Sequence, residues 1–232
     1  QTNVGEHAIN SPALYIETVA AGGGSVCNFD GFKFSVGPES AGASPGPACY
    51  GAGGALTVTD ISLLLGRIVP EKFGIPVNIE HARKRLSEMK TENEALQNVA
   101  DNDILLGFFE IANEKMAKAI EKISIAKGYE PAEYGLLAFG GAGGIHACKI
   151  AEILDIESIF IPYDAGILSA CGIASARIER IIHRQILNPY ESEKRRLNEL
   201  LCDMKQEAID QLLQDGLKRE DINTQLVFLY LR

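Results

Sequence analysis

The chain has 232 residues with 22 Lys and Arg against 31 Asp and Glu, which gives a net charge of −9. This length suffices for a substantial buried core, and the acidic balance without a basic run disfavours nucleic-acid binding. No apolar run approaches the roughly 20 residues of a membrane span and no signal-peptide pattern opens the chain, so we expect a cytoplasmic protein that does not contact membranes.

Residues 1–56 are rich in glycine, proline and serine and predict an irregular region of strands and loops. Residues 13–21 are a candidate strand, and residues 26–34 predict a hairpin that turns near Asp30 and Gly31. The following segment, residues 36–54, contains three prolines and six glycines. A loop of this length with apolar anchors at Val36, Cys49 and Tyr50 is typical of a functional loop rather than of disorder.

From residue 57 onward the pattern becomes helical. Thr59 is expected to cap a short helix through Leu65, and Asn78 a second helix through Met89. Thr91 and Glu94 have the T-x-x-E spacing of a capping box and predict a third helix start. Apolar residues then recur every three or four positions over residues 105–123, which predicts a long helix with one buried face.

The remainder alternates between strands and helices. Strands are predicted at residues 135–139, 158–161, 180–187 and 224–231, and helices at residues 145–154, 166–174 and 191–213. This alternation predicts an α/β architecture with helices packed on a largely buried sheet. Because the apolar run LVFLYL stands directly before Arg232, we interpret residues 57–232 as one incomplete domain of a larger protein.

The segment LLAFGGAGGIHA, residues 136–147, joins a short strand to a helix through four glycines. Gly140, Gly141, Gly143 and Gly144 place no Cβ between the backbone and a ligand, and the first amides of the helix have no intrahelical acceptor. The helix dipole adds about half a positive charge at the same place. Such a turn can hold a nucleotide, but close packing explains many glycine turns and the G-x-G-x-x-G pattern is absent, so both interpretations stay open.

Three sequence blocks, taken together in their order along the chain, resemble the hydantoinase/5-oxoprolinase family, in particular its hydantoinase A type subunit. They are TVAAGGGS at residues 18–25, VGPESAGASPGPACYGAGGALTVTD at residues 36–60 with LLLGRI after it, and AFGGAGGIHACKIAEIL at residues 138–154 with GILSACG after it. The motifs VAAGGGS and GGAGG-x-HAC are most similar to those of the 5-oxoprolinase members of the family.

The resemblance implies an α/β fold, specifically part of an actin-like (ribonuclease H-like) ATPase lobe. It implies an ATP-dependent enzyme, with Mg²⁺, that opens 5-oxoproline or hydantoin-type rings through a phosphorylated intermediate. It also implies a companion hydrolase subunit and an upstream segment with further phosphate-binding motifs, so the chain alone is expected to be inactive.

The resemblance also suggests roles for individual residues, but for no catalytic one. Six residues match the turn that lies against adenosine: Gly140, Gly141, Ala142, Gly143, Gly144 and His146. Six others match positions that face phosphate or substrate: Gly22, Gly23, Gly24, Ser25, Glu39 and Ser40. Asp60 is the candidate metal-facing carboxylate, although an Asp at this place can equally stabilise the start of a helix.

The sequence disfavours several other functions. His146 and Cys148 are two residues apart, so on a helix they point about 200° away from each other and cannot form a nucleophilic dyad. The five cysteines have no C-x-x-C pair, which favours free thiols, and no His/Cys cluster suggests zinc. A dehydrogenase is disfavoured because the glycine turn lacks a suitable acidic residue about 20 positions further on. A nucleotide-responsive regulatory subunit and an ATP-dependent carboxylase subunit remain alternatives, since fold alone does not decide function.

Overall fold

The computed structural model describes residues 16–227 and the backbone of two short strands that precede them. These strands, β1 (Thr2–Val4) and β2 (His7–Ile9), pair antiparallel. Contacts divide the chain into two compact units, residues 1–169 and 170–232, so the predicted boundary between residues 56 and 57 lies inside the first unit. None of the helices in the described residues combines the length and hydrophobicity that a membrane span requires.

The predicted hairpin is present. Strand β3 (Ser25–Phe29) pairs antiparallel with β4 (Phe34–Ser40). At the turn, the Asp30 carboxylate accepts hydrogen bonds from the amides of Phe32 at 3.0 Å and Lys33 at 2.9 Å, and Gly31 adopts a φ of +95°. The turn residues therefore close the hairpin by local chemistry, as their sequence predicts.

Three helices follow: α1 (Val58–Leu64), α2 (Ile79–Glu92) and α3 (Asp101–Ala126). The cap at Asn78 is confirmed, because its side chain accepts a hydrogen bond from the Glu80 amide at 2.9 Å. Helix α1, however, begins after Thr57 rather than after Thr59.

The helix start predicted at Thr91 is wrong. Thr91 lies inside the last turn of α2, where its hydroxyl donates to the carbonyl of Ser87 at 2.9 Å. The next α-helix begins only at Asp101, after a short 3-10 turn at residues 94–96. A threonine hydroxyl that is satisfied by the carbonyl four residues earlier does not compete for a helix N-terminus.

The long helix α3 organises the core of the first unit. Its apolar face, predicted from the spacing, is buried at Ile104, Leu105, Phe108, Phe109 and Ala112. The ring of Phe34 on the hairpin packs edge-on against Phe108, with 4.7 Å between the ring centroids. Helix α1, strand β4 and the later helix Gly143–Ile153 all contact α3, so α3 fixes the relative positions of the loops that they carry.

The alternation of strands and helices is confirmed over residues 135–175, with shorter strands than predicted. Strand β5 (Leu136–Leu137) and β6 (Ile159–Phe160) pair parallel, with α4 (Gly143–Ile153) between them in the sequence. A 3-10 turn at residues 165–167 leads into α5 (Leu168–Ser175). The expected buried sheet is not found in the described residues, which form three separate two-stranded sheets.

In the second unit, helix α6 (Tyr190–Gln214) confirms the prediction for residues 191–213. The strand predicted at residues 180–187 is wrong, because this segment has no regular structure. No strand in the described residues offers it backbone hydrogen bonds, and Arg180 and Arg184 instead form ion pairs with Asp215 and Glu207.

Two other predicted strands lie partly outside the described residues. Of residues 13–21, those from 16 onward have no strand structure, and the earlier ones are not described. Residues 224–227 likewise have no regular structure, and the rest of the strand predicted at residues 224–231 is not described.

The glycine-rich loop after β4 is ordered around the buried carboxylate of Asp60. This side chain has no solvent exposure and accepts hydrogen bonds from the amides of Ala48 at 3.1 Å, Cys49 at 2.7 Å and Thr57 at 2.8 Å. The Thr57 hydroxyl donates a fourth hydrogen bond at 2.8 Å. Asp60 therefore joins the loop to the first turn of α1, where it also completes a capping box with Thr57.

We expect Asp60→Asn to destabilise the protein by about 3 kcal/mol, because the amide nitrogen faces at least one N–H donor whichever oxygen it replaces. Urea denaturation followed by circular dichroism measures the free energy of unfolding. The matched control is Asp103→Asn, on an exposed side chain in the first turn of α3, which should cost less than about 1 kcal/mol. Equal losses in both variants would contradict the assigned role of Asp60.

Candidate functional site

The glycine turn lies at the surface between β5 and α4. The amide of Ala138 donates to the carbonyl of Phe160 at 2.9 Å, and the amide of Gly140 donates to the carbonyl of Ala165 at 2.7 Å. These bonds anchor the entry to the turn, while Gly140, Gly141, Ala142 and Gly144 themselves are exposed. The turn is thus fixed at its base and open on its outer side.

Close packing accounts for none of the four glycines of this turn, and backbone conformation accounts for one. Gly140 adopts a φ of +86°, which disfavours any residue with a side chain. At Gly141 an added Cβ would meet no atom within 4 Å, and at Gly143 and Gly144 the nearest atoms would be at ordinary contact distances of 3.7 and 3.9 Å. In the described residues, no close contact explains the absence of a side chain at these three glycines.

The same turn presents unpaired backbone donors. In the described residues, the amides of Gly141, Ala142, Gly143 and Gly144 donate to no protein acceptor. The latter two are the first amides of α4, which has 11 residues. Exposed amides at the positive end of a helix dipole can hydrogen-bond the polar atoms of a bound molecule.

His146 lies behind the turn, in the interface between α4 and α3. It is 3% exposed, and its Nδ1 atom is 3.1 Å from the Oδ1 atom of the fully buried Asn113. Its ring stacks on Phe109, with 5.2 Å between the centroids and 17° between the planes. His146 is therefore a buried ring, held on one edge by the hydrogen bond to Asn113 and on one face by Phe109.

Burial and the nearby positive charge of Arg67 lower the pKa of His146 to about 4. The guanidinium carbon of Arg67 lies 4.1 Å from the centroid of the Phe109 ring, next to the histidine. The imidazole is therefore neutral at neutral pH, and it has one N–H donor and one lone-pair acceptor.

The other predicted cluster is assembled by the β3–β4 hairpin. Ser25 pairs with Ser40 across the two strands, and the amide of Ala41 donates to the carbonyl of Gly24 at 2.8 Å. This brings the segment Gly22–Ser25 next to Glu39 and Ser40, both of which are exposed. Residues that are 15 positions apart in the chain thus lie side by side.

Two glycines of this cluster have a packing reason. A Cβ at Gly23 would lie 2.7 Å from the hydroxyl oxygen of Thr59, and a Cβ at Gly24 would lie 3.2 Å from that of Ser40. Thr59 is held in place because its amide and its hydroxyl both donate to the carbonyl of Gly23 at 2.9 Å. The loop therefore rests on the first turn of α1, in contrast to the open turn before α4.

Asp60, the candidate metal ligand, is fully buried, unlike the exposed residues of the two clusters. Its two oxygens accept four hydrogen bonds inside the protein, which favours its structural role at the start of α1. No group of three or more His, Cys, Asp or Glu side chains in the described residues could hold a metal ion. The neighbouring thiols of Cys27 and Cys49 have raised pKa values, mainly because of burial and further because of the Asp60 charge, so they are not thiolates.

Helix α1 connects the two clusters. Its first turn carries Thr59, which holds the Gly22–Ser25 loop, and Arg67 follows its C-terminal end and reaches Phe109. A helix of seven residues is about 10 Å long. The Gly22–Ser25 loop thus rests on the first turn of α1, whereas Arg67, three residues after the helix ends, contacts the Phe109 ring that stacks on His146.

Sequence analysis did not identify Arg67, Phe109 or Asn113 as neighbours of the turn. Asn113 carries a usable signal, because it is a polar residue four positions after Phe109 on the buried face of α3. The expected separation of His146 and Cys148 is observed, since the histidine is buried and the cysteine is exposed. None of the five cysteines, all of which lie in the described residues, forms a disulfide, as their spacing predicts.

A depression of about 480 Å³ beside α4 does not belong to this site. Its lining includes Cys148, Glu152 and Asp155, which follow the first turn of the helix, and none of the four glycines. The candidate site is defined by the exposed backbone of the turn rather than by a closed cavity.

Comparison with known proteins supports a single family. The profile of the hydantoinase/oxoprolinase family matches residues 1–182. The chain is 38% identical to the 5-oxoprolinase of Dictyostelium discoideum over 96% of its length, but over only 19% of that protein. It is 31% identical to caprolactamase subunit alpha of Pseudomonas jessenii, with coverage of 90% of this chain and 31% of that subunit.

Solved structures show the same relationship. An acetone carboxylase structure without nucleotide superposes with a TM-score of 0.70 at 21% identity. The ATP-dependent caprolactamase of P. jessenii superposes with a TM-score of 0.64 at 31% identity. Each likeness covers 86% of this chain and 30% of the other one. The mixed α/β fold is therefore that of these enzymes, and the chain spans less than a third of the length of the relatives described.

Sequence blocks, fold and relatives thus agree that this chain belongs to the hydantoinase/oxoprolinase family.

Proposed function

We propose that this chain forms part of an ATP-dependent enzyme that hydrolyses cyclic amides, with 5-oxoproline or a hydantoin-type ring as its substrate. The observation that carries the proposal is the open face of the turn before α4, where no close contact in the described residues explains the absence of a side chain at three glycines. The similarity to named 5-oxoprolinases supports the reaction class, and their identity of 36–41% favours 5-oxoproline as the substrate.

In this proposal the turn holds the adenosine part of ATP. Gly140, Gly141, Ala142, Gly143, Gly144 and His146 form the nucleoside side of the site. The cluster of Gly22, Gly23, Gly24, Ser25, Glu39 and Ser40 faces the phosphates or the substrate from the other end of α1.

The fold suits this assignment. A strand, a glycine turn and a helix that presents free amides are the elements with which an actin-like (ribonuclease H-like) ATPase lobe holds its nucleotide, as the family resemblance implies. The similarity to an acetone carboxylase and an ATP-dependent caprolactamase supports the assignment, since the names of both include ATP dependence.

The chemistry explains why an amide hydrolase needs ATP. An amide carbonyl is a poor electrophile, and phosphorylation of its oxygen gives a phosphorylated intermediate that water attacks more readily. The protein contributes by positioning the two reactants and by stabilising the charge on the transferred group with N–H donors. The exposed amides of residues 141–144 orient the nucleotide in this scheme.

Mg²⁺ is proposed as the companion of ATP, but Asp60 does not fit as its ligand. The carboxylate is fully buried and its oxygens are occupied by four donors. An ion that accompanies ATP is commonly held by phosphate oxygens and water with one or two carboxylates. Glu39 is the exposed carboxylate of the phosphate-facing cluster.

We further propose that the chain works as one segment of a longer protein with a companion hydrolase subunit. The relatives described are several times longer, and the caprolactamase relative is named as an alpha subunit. The cytoplasmic location is part of the same proposal.

Alanine substitutions in the turn test nucleotide binding. We expect Gly141→Ala and Gly144→Ala to weaken ATP binding at least about tenfold while the unfolding free energy stays within about 1 kcal/mol, because the added methyl groups project into the space left for the ligand. Isothermal titration calorimetry on the full-length protein that contains this chain measures the binding.

The control for this experiment is Gly172→Ala, at a site where an added Cβ also meets no atom within 4 Å. This variant should bind ATP like the unaltered protein. Gly23→Ala should instead lower the stability, since its Cβ would clash with Thr59. Unaltered ATP binding by both turn variants would contradict the proposed site, and absence of ATP binding by the unaltered protein would contradict the proposed function.

The substrate is tested by ADP release. We expect the full-length protein, with its companion subunit, to release ADP in step with ring opening when supplied with 5-oxoproline, and more slowly with hydantoin. A ketone with bicarbonate serves as the third compound, since it would reveal a carboxylase. Release of ADP with the ketone and bicarbonate, but with neither cyclic amide, would overturn the assignment as a cyclic amide hydrolase. Nucleotide binding without turnover of any of the three compounds would favour a regulatory subunit.

A further inference from the structure

The hydrogen bonds behind the glycine turn determine which nitrogen of His146 carries its proton. The side-chain amide nitrogen of Asn113 donates to the carbonyl of Phe109 at 2.6 Å. A carbonyl only accepts, so this bond sets the orientation of the Asn113 amide and directs its oxygen to Nδ1 of His146. Nδ1 must therefore be the N–H donor, and Nε2 of the neutral ring has a lone pair.

This lone pair is available to a ligand. In the described residues, every side-chain nitrogen or oxygen that is shielded from solvent has a hydrogen-bond partner. In the described residues Nε2 of His146 has no partner, so it belongs to the small part of this largely buried residue that solvent reaches. A ligand that covers Nε2 displaces its water, so a ligand that donates a hydrogen bond to it is favoured over one that leaves it unpaired.

The place of His146 indicates which part of a nucleotide it meets. It lies in the first turn of α4, directly after the exposed glycines, and beside Arg67 at the C-terminal end of α1. The phosphate-facing cluster rests on the opposite end of α1. His146 therefore belongs to the nucleoside side of the proposed site.

We propose that Nε2 of His146 accepts a hydrogen bond from the 6-amino group of the purine, so that this histidine makes the site selective for adenine nucleotides. The inference rests on the proposed function, because it assumes that the turn holds a nucleotide. A base with a carbonyl oxygen at position 6 would place one acceptor against another. Asn113 acts as a positioning residue, since it maintains the tautomer that leaves Nε2 free to accept.

A matched pair of nucleotides tests this selectivity without any substitution. Purine riboside triphosphate differs from ATP only in lacking the 6-amino group. On the full-length protein, we expect calorimetry to show about tenfold weaker binding of this analogue, which is the effect of leaving one largely buried acceptor unpaired.

The residue is tested by His146→Phe, which retains an aromatic ring against Phe109 but removes the acceptor. In this variant the preference for ATP over the analogue should fall from about tenfold to about one. His183→Phe, at an exposed histidine in the second unit, is the control and should retain the preference. Thermal unfolding of each variant verifies that it is folded.

The outcomes separate the inference from the proposed function. Equal binding of ATP and the analogue by the unaltered protein would overturn the inference and leave the proposed function intact. Retention of the preference by a folded His146→Phe variant would do the same. Absence of binding of either nucleotide by the unaltered protein would overturn both.

Discussion

The buried carboxylate of Asp60 is the interaction on which the N-terminal half of the first unit depends. A carboxylate without solvent contact is tolerated only if donors surround it, and Asp60 has four, from three residues in two segments of the chain. The hydrogen bonds to this carboxylate join the glycine-rich loop and Thr57 to the first turn of α1. The start of α1 then supports the Gly22–Ser25 loop through Thr59. A single buried charge thus positions the proposed phosphate-facing cluster without contacting a ligand.

The two glycine clusters look alike in sequence and differ in physical role. In the first cluster, Gly23 and Gly24 make room for protein atoms, so side chains there would disturb the fold. In the turn before α4, a side chain at Gly141, Gly143 or Gly144 would meet no close contact in the described residues, and the amides of these glycines have no acceptor there. This contrast is why we propose the nucleotide at the turn, whereas Gly23 and Gly24 serve the packing of the first cluster.

Helix α3 connects these surface loops to one core. Its buried face holds the hairpin through Phe108, and it holds α4 through Phe109 and Asn113. Asn113 is a polar residue in an apolar interface, and such a group is stable only because both of its ends are paired. The same pairing orients His146 and determines its tautomer, so the packing of the core and the chemistry of the proposed site depend on the same side chains.

The sequence by itself determined the features that depend on local spacing. These are the hairpin at Asp30 and Gly31, the buried face of α3, the cap at Asn78, the strand, turn and helix around residues 136–153, and the family. The tertiary structure alone decided that Asp60 accepts hydrogen bonds from a loop 11 and 12 residues away and that His146 meets Asn113 across 33 residues. It also decided that residues 180–187 form no strand, because a strand needs a neighbour. Helix periods and turn residues act over a few positions, whereas burial, hydrogen-bond partners and the free space beside a glycine depend on segments that only folding brings together.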